Sequence, residues 1–308
     1  SRYEGTDQLY LRDGNLIIQT SINTIMEAAP IAYQIINGVK VFIDCKYELD
    51  GDILSYSFPN GYEKSETLII DPTVIGATLS GFTGIQIFGN TSCFDNSGNI
   101  YNGGTAYDIG LATTPGAFQT NYADPESGNS SLVDMAFHKY NSDASELIYG
   151  TYVGGVGFDI PHSTIVDNYG QLCILGSSSA SDFPTTLNAY QKESGGQADI
   201  VIVKLSSDGT SLIGSTYLGG ENNDGLNLSK LEDAYGDEFR GEIILDNQGD
   251  IYITSVTSSY DFPITSNAFQ TELSSQSLSQ TLRQDAVVLK INSDLSTLFW
   301  STYLGGDQ

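Results

Sequence analysis

The sequence predicts an all-β fold in which a small N-terminal β domain precedes four-stranded blades of a β-propeller. Three observations predict it. A set of short phrases recurs in one fixed order, and each recurrence holds two turn signals between β-prone runs. In addition, no stretch of the chain has sustained helical periodicity with capping residues. The repeated unit is therefore a set of short antiparallel strands.

One six-residue phrase, S-T-Y-L-G-G, marks the repeat. It occurs twice, and G-T-Y-V-G-G and G-A-T-L-S-G are related copies nearer the N-terminus. The last glycines of the four copies, Gly81, Gly155, Gly220 and Gly306, are 74, 65 and 86 residues apart. Phrases that recur in this way are the sequence signature of folds that repeat one supersecondary unit.

Two hairpin signals lie between successive copies. The phrase D-N-x-G, at 95–98, 167–170 and 246–249, predicts a turn because Asp and Asn bond to nearby backbone and Gly adopts positive φ. Its flanks are rich in β-branched and aromatic residues. A second hairpin is predicted to turn at Ser207–Gly209. Each repeat thus predicts four antiparallel strands in two hairpins, joined by the segment that carries A-F-Q or A-Y-Q. This pattern favours propeller blades over a β-solenoid, whose coils are shorter and lack paired hairpins.

The combined phrases resemble the SBBP-type propeller repeat of bacterial cell-surface proteins. The resemblance covers about residues 73–308 and rests on D-x4-K-[IL]-[NS]-S-D, S-T-Y-L-G-G, D-N-x-G-[ND]-I-Y and D-F-P followed by A-[FY]-Q. It implies a Bacteroidota cell envelope, a secreted or cell-surface location, export by type IX secretion, and roles in adhesion, gliding or matrix assembly. The first repeat departs from the pattern because it lacks D-F-P, and the third carries an extra stretch at Glu221–Arg240.

The first 72 residues lack these phrases. They place D-G or N-G three times beside alternating apolar residues, which predicts a run of hairpins. The segment is similar to the β domain that often precedes such propellers. We therefore predict an N-terminal domain at 1–72 and propeller repeats at 73–308, with blades ending near residues 155, 220 and 306.

A count of the predicted strands indicates an incomplete propeller. Four segments are of the S-T-Y-L-G-G type but only three of each other type, so the strand at Ser301–Gly306 is expected to be surplus, as the start of a fourth repeat. Propellers typically have four to eight blades, and open edges are normally covered. We expect further blades of the same protein, or a partner chain, to complete the missing edge, and the isolated chain to associate through 301–306.

Composition argues against two classes of partner. The 38 acidic and 12 basic residues give a net charge of −26, which repels phosphate backbones and makes nucleic acid an unsuitable partner. No run approaches the roughly 18 apolar residues of a membrane-spanning helix, so membrane insertion is not expected. Other cell-surface or matrix proteins, or glycans, are the expected partners.

No catalytic constellation is recognisable in the sequence. Zincin, nucleophile-elbow and P-loop motifs do not occur, and the two histidines lie in no known motif. Asp134, Asp199 and Asp285 each precede a lysine by five residues. Because a residue needed once per blade usually serves the blade, we predict that they are buried acceptors for backbone N–H groups or pairs between blades. We expect no catalytic residues, no cofactor and no enzyme.

The acidic insertion is the candidate cation-binding or contact segment. A solvated acidic loop and a calcium or contact loop both fit its five carboxylates. These are Asp224, Glu232, Asp233, Asp237 and Glu238. The connections after A-F-Q, at 121–133, 193–198 and 272–284, differ in length and are expected to lie on one face.

These features predict a non-enzymatic scaffold or adhesion protein, part of a larger surface protein, that presents propeller loops to proteins or glycans. The alternative is a carbohydrate-active propeller, either glycan-binding or lyase-like. Glycosidase chemistry needs only a suitably spaced acidic pair, and the sequence offers too many acidic residues to select one.

Overall fold

The fold of the chain is all-β, as the sequence predicts. The computed structural model describes residues 8–19, 24–27, 29–71, 87–107, 109–123, 132–227, 241–274 and 284–306. Within these ranges the chain forms β-strands and no helix, and hence no helix that could cross a membrane. The chain divides into two compact units, Ser1–Ile75 and Gly76–Gln308. The predicted boundary residue Pro72 lies outside the described ranges, so that boundary stays a prediction.

The N-terminal unit consists of hairpins in three small antiparallel sheets, ordered β1-β2-β3, β5-β4-β8 and β6-β7. Its strands are β1 (Gln8–Arg12), β2 (Asn15–Gln19), β3 (Thr24–Glu27), β4 (Ile31–Ile36), β5 (Val39–Ile43), β6 (Lys46–Asp50), β7 (Ile53–Ser57) and β8 (Ile69–Asp71). Asp13 and Gly14 have φ of 53° and 83°, and Asn37 and Gly38 have 51° and 79°. Positive φ at both central residues is what a two-residue hairpin turn requires, so D-G and N-G set these turns.

The C-terminal unit contains three four-stranded antiparallel sheets, each with its strands in chain order. We call them the first, second and third sheets. The first consists of β9 (Ile87–Phe94), β10 (Ile100–Ala106), β11 (Asp134–Tyr140) and β12 (Leu147–Val153); the second of β13 (Asp159–Val166), β14 (Leu172–Ser178), β15 (Asp199–Leu205) and β16 (Leu212–Leu218); the third of β17 (Glu242–Leu245), β18 (Ile251–Thr257), β19 (Asp285–Ile291) and β20 (Leu298–Leu304). The prediction of four strands and two hairpins per repeat is confirmed.

The phrase D-N-x-G forms the turn between the first two strands of each sheet, as predicted. In the second sheet, Asp167 Oδ1 accepts hydrogen bonds from the N–H groups of Tyr169 at 2.8 Å and Gln171 at 2.9 Å. Gly170 has a φ of 74°, which a residue with a side chain rarely adopts. The sequence therefore fixes this turn locally, through one carboxylate and one glycine.

The prediction that Ser301–Gly306 is a surplus strand is wrong. Strand β20 pairs with β19 as β16 pairs with β15, so S-T-Y-L-G-G is the last strand of its own repeat and not the start of a fourth. The copy at 76–81 lies outside the described residues. The predicted association through 301–306 loses its basis, because this strand is an outer edge of its sheet in the same way as β12 and β16.

The sheets pack face to face through two apolar cores. Met135 and Phe137 of the first sheet lie in a core with Leu172, Ile174 and Val203 of the second. The opposite face of the second sheet forms another core with the third; this core contains Leu175, Ile200, Ile202, Ile253, Val287 and Leu289. Strand β15 is therefore buried along its whole length, because a sheet covers each of its faces.

The extra stretch of the third repeat lies at the position where the second sheet has a β-bulge. In the second sheet, Pro161 lies opposite Gly176 and Ser163 opposite Leu175, which leaves one additional residue between them. In the third sheet, the N–H of Gly225 donates to Val256 O at 2.8 Å, and the strand resumes with Glu242 opposite Thr254. The third repeat therefore has its additional residues at the position where the second repeat has one unpaired residue.

Candidate functional site

Each repeat joins the Asp of D-N-x-G to the Lys of D-x4-K through an ion pair within one sheet. Lys204 Nζ lies 2.8 Å from Asp167 Oδ2, and Lys139 Nζ lies 3.5 Å from Asp95 Oδ2. Lys139, Asp167 and Lys204 are buried, and the Asp95 side chain is 9% exposed. Burial of an unpaired charge is costly, so the two phrases recur together because each neutralises the other.

The same lysines connect neighbouring sheets. Lys139 Nζ donates to Ser207 O of the second sheet's last turn at 3.1 Å, and Lys204 Nζ donates to Ser293 O of the third at 3.4 Å. A main-chain bond runs beside each contact. The N–H of Phe118 donates to Gly209 O, and that of Tyr190 to Leu295 O, both at 2.8 Å. The residue after Ala in A-F-Q or A-Y-Q therefore serves as a link between sheets.

Lys290 of the third sheet has different partners. Its Nζ lies 2.9 Å from Asp246 Oδ2 and 3.0 Å from Asp250 Oδ2. Hydrogen bonds to these two carboxylates raise the pKa of Lys290 above its usual value. Its side chain is 18% exposed, against 8% for Lys139 and 6% for Lys204. Within the described part of the chain, no turn carbonyl accepts a hydrogen bond from Lys290.

The repeated aspartates at the start of the third strands are buried acceptors, as predicted. Asp134 accepts from the N–H of Ala123 at 2.7 Å, Asp199 from that of Gly195 at 2.8 Å, and Asp285 from that of Ser274 at 2.8 Å. They hold the connection between the second and third strands of each sheet against the start of the third strand.

Asp224, the first carboxylate of the predicted acidic segment, lies in the junction between the second and third sheets. It is fully buried and accepts hydrogen bonds from the N–H of Gly220 at 2.7 Å and from Ser259 Oγ at 2.9 Å. Thr257 Oγ1 also donates to it. Burial raises the pKa of Asp224 to about 7 against these hydrogen bonds. Asp224 is thus part of the repeat and not of an exposed loop.

The other four predicted residues lie outside the described ranges, so a cation or contact loop there stays a prediction. These are Glu232, Asp233, Asp237 and Glu238. Among the residues that the structure does describe, no three histidine, cysteine, aspartate or glutamate side chains are placed to hold a metal ion.

A polar groove of about 310 Å³ lies between the D-N-x-G turns of the first and second sheets. The Asp95–Lys139 pair lines this groove, and so does Tyr169, which is 81% exposed. The groove is lined by Asp95, Asn96, Lys139, Asn168, Tyr169 and Ser207, among others. An exposed aromatic ring beside amide and carboxylate groups can stack on and hydrogen-bond to a polyhydroxylated ligand.

Sequence reasoning missed this groove. It placed contacts on the connections after A-F-Q, which join the second and third strands at the opposite end of each sheet from the D-N-x-G turns. One signal was available: the variable position of D-N-x-G is Tyr169 in the second repeat but Ser97 and Gln248 in the others. A large aromatic residue at one exposed turn, out of three equivalent turns, indicates a local role.

Comparison with known proteins adds one family to this description. No curated protein matches the chain. Residues 1–73, which include the whole described part of the N-terminal hairpin unit, match a family described as a domain of unknown function, DUF7948.

Proposed function

We propose that the chain is a non-enzymatic scaffold and contact protein of a bacterial cell surface, and that its three sheets are blades of a β-propeller. The observation that carries the proposal is the use of the repeated polar residues. The repeated Asp and Lys side chains bind backbone groups or each other, and Tyr217 Oη donates to Ala180 O at 2.6 Å. Residues that recur in every repeat thus hold the scaffold together, which leaves contact with partners to residues that differ between repeats.

The arrangement of the first strands supports the propeller. Thr91 Oγ1 of β9 lies 3.1 Å from Thr164 Oγ1 of β13, and Ser163 Oγ of β13 donates to Glu242 Oε1 of β17 at 2.6 Å. Neighbouring sheets therefore approach each other along their first strands, as blades do around a central axis. The SBBP-type resemblance adds the cell-surface location and the expectation that partners are surface proteins, matrix proteins or glycans.

A reducing-sugar assay on the whole chain tests the non-enzymatic part of the proposal. Polysaccharides of several charge and linkage classes would be incubated with the protein at neutral pH. We expect no release of reducing ends above that of a heat-denatured sample. Product formation that saturates with substrate would contradict the proposal and support a lyase-like or hydrolytic propeller.

The groove beside Tyr169 favours one alternative, a glycan-binding propeller. A glycan array would be probed with the parent chain, with Tyr169→Ala and with Leu187→Ala. Leu187 is 88% exposed and does not line the groove, so it controls for general loss of surface hydrophobicity. Saturable binding that Tyr169→Ala abolishes and Leu187→Ala retains would support the alternative. Equal effects of the two changes would count against a site in the groove.

A further inference from the structure

One face of the third sheet differs from the matching face of the other two sheets. In each sheet, nine residues on the second, third and fourth strands form a three-by-three grid on this face. All nine are buried in the first sheet and all nine in the second. In the third sheet none of the nine is buried. These nine, which we call the open face, are Tyr252, Thr254, Val256, Ala286, Val288, Lys290, Trp300, Thr302 and Leu304.

The buried grids show what covers such a face. In the first sheet the grid packs on the second sheet, and in the second sheet it packs on the third. The open face is the next member of this series and has the same apolar character, since six of its nine side chains are aliphatic or aromatic. The interfaces between the first and second sheets and between the second and third sheets therefore indicate what would pack on the open face.

The third repeat also has the two hydrogen-bond donors that link neighbouring sheets in the first two repeats. In the first two repeats a lysine and the N–H of the residue after Ala in A-F-Q or A-Y-Q donate to carbonyls of the next sheet's last turn. The equivalents in the third repeat are Lys290 Nζ and the N–H of Phe269. Neither donates to a turn carbonyl within the described residues, and the Phe269 side chain is 89% exposed. Among the described residues, these two donors therefore have no turn carbonyl as an acceptor, whereas their equivalents in the first two repeats each have one.

The turn that supplies these carbonyls must match the residue opposite it. In the first sheet the grid holds Tyr149, and the facing turn of the second sheet holds Gly209, where a Cβ would lie 2.5 Å from the Tyr149 ring. In the second sheet the grid holds Gly214 at the position of Tyr149, and the facing turn holds Leu295 at the position of Gly209. An aromatic residue thus faces glycine, and glycine faces leucine. The open face has Trp300 at this position.

We propose that the open face docks a further four-stranded sheet of the same repeat, whose last turn carries glycine at the position that faces Trp300. This inference rests on the proposed scaffold function. The partner presents β-branched and aliphatic side chains on the docking face, and two turn carbonyls for Lys290 and Phe269. The second repeat, with Gly209 in its S-S-D-G turn, is the copy within this chain that satisfies these requirements.

A second copy of this chain is a poor occupant. The face of its first sheet that would pack on the open face is already covered, since Ala136 is 3% exposed and Tyr140 7%. The turn of that sheet has Ala144 at the glycine position, with a φ of 57°. The matching faces of its second and third sheets are buried in the two cores.

The test appends repeats to the full chain. One variant carries a second copy of residues 156–220 directly after Gly306, so the new junction repeats the natural Gly155–Val156 junction. A matched variant carries a second copy of 221–306, whose turn has Leu295 in place of glycine; the copy's equivalents of Lys290 and Trp300 are replaced by Met and Phe, so that each readout reports on one residue. A third carries the 156–220 copy with the equivalent of Gly209→Leu. Two readouts report on the open face: the acetylation rate of Lys290, and the emission of Trp300, the only tryptophan of the chain.

With the 156–220 copy we expect Lys290 to become as unreactive as Lys139 in the same molecule, and the emission of Trp300 to shift to shorter wavelength. Unchanged Lys290 reactivity would overturn the docking. Equal protection by the 221–306 copy or by the Gly→Leu variant would overturn the glycine requirement. Concentration-dependent protection of Lys290 in the parent chain would identify a second copy as the occupant and overturn the proposal. Sugar release in the assay above would contradict the scaffold function alone, so the two failures are distinguishable.

Discussion

The second and third sheets have the same strand order and the same turn phrases, yet equivalent residues have different surroundings. Lys204 is buried between two sheets, with one carboxylate and one carbonyl of the next sheet as partners. Lys290 has two carboxylates of its own sheet and is more exposed. The comparison teaches that the repeat sequence determines the sheet, whereas the neighbouring sheet determines burial and the partners across the interface.

Replacing the two lysines gives the largest expected difference. Lys204→Met should lower the free energy of unfolding by about 3–5 kcal/mol, because it leaves Asp167 buried without its counter-charge. Lys290→Met is the matched control and should cost clearly less, since water reaches the Asp246 and Asp250 side chains, which are 20% and 17% exposed. Urea denaturation of the three proteins measures both values. Equal losses would contradict the distinction between the two sheets.

The junction between these two sheets should make stability depend on pH. Burial raises the pKa of Asp224 to about 7, whereas an unfolded chain releases this proton near pH 4. The folded state therefore binds more protons between pH 4 and 7, and stability falls as the pH rises through this window. The contribution of Asp224 to this fall is up to about 4 kcal/mol.

Asp224→Asn should remove that contribution, so the fall in unfolding free energy between pH 4 and 7 should be smaller in the variant. Denaturation curves at several pH values measure it. Asp208→Asn is the control, because hydrogen bonds from Ser206 and Thr210 lower the pKa of Asp208 and it is exposed. A fall of the same size in the parent and Asp224→Asn would disprove the assignment to Asp224.

The packing of a glycine turn against an aromatic ring is a third difference between repeats. Gly209→Ala should cost about 2–4 kcal/mol, because the residue has a φ of 69° and its Cβ would overlap the Tyr149 ring. Gly249→Ala has a similar φ of 81° but ample space, and should cost only about 1 kcal/mol. Thermal or urea unfolding compares the two. Similar costs would mean that backbone conformation alone explains the glycine at 209.

The smallest effect on stability is expected in the groove. Tyr169→Ala should change the free energy of unfolding by less than about 0.5 kcal/mol, because the side chain is 81% exposed. Its counterparts in the other turns, Ser97 and Gln248, show that the turn does not need an aromatic residue. A loss above 1 kcal/mol would assign Tyr169 a structural role and weaken the case for a ligand in the groove.

The local features of the sheets could be predicted from the sequence. D-N-x-G and the D-G and N-G pairs specify turns through contacts within a few residues, and the alternation around them specifies strands. The order of strands within a repeat could not be settled in the same way. Because the phrases recur in a cycle, S-T-Y-L-G-G fits both the end of a repeat, near residues 155, 220 and 306, and the beginning of the next. Only the pairing of β20 with β19 shows that it is the last strand of its sheet.

The candidate site was less predictable because it depends on contacts between repeats. Asp224 was grouped with the acidic stretch that follows it, yet it stands four residues after a Gly-Gly pair, as Asp159 does. That spacing was the available signal of a buried junction. The open face has no sequence signal of its own, since Lys290 and Lys204 occur in nearly the same phrase and differ only in what packs against them. The signal for the groove is one residue, Tyr169 at the variable position of D-N-x-G.

The β-bulge in the first strand of the second repeat has a consequence for how such repeats evolve. The extra residue between Pro161 and Ser163 leaves the pairing on either side unchanged, and the third repeat carries its additional stretch at the same point. Chain length can therefore change there without altering which residues face each other in the sheet or across its cores. Successive repeats can therefore differ in length at this one place while the pairing and the cores of the sheets stay constant.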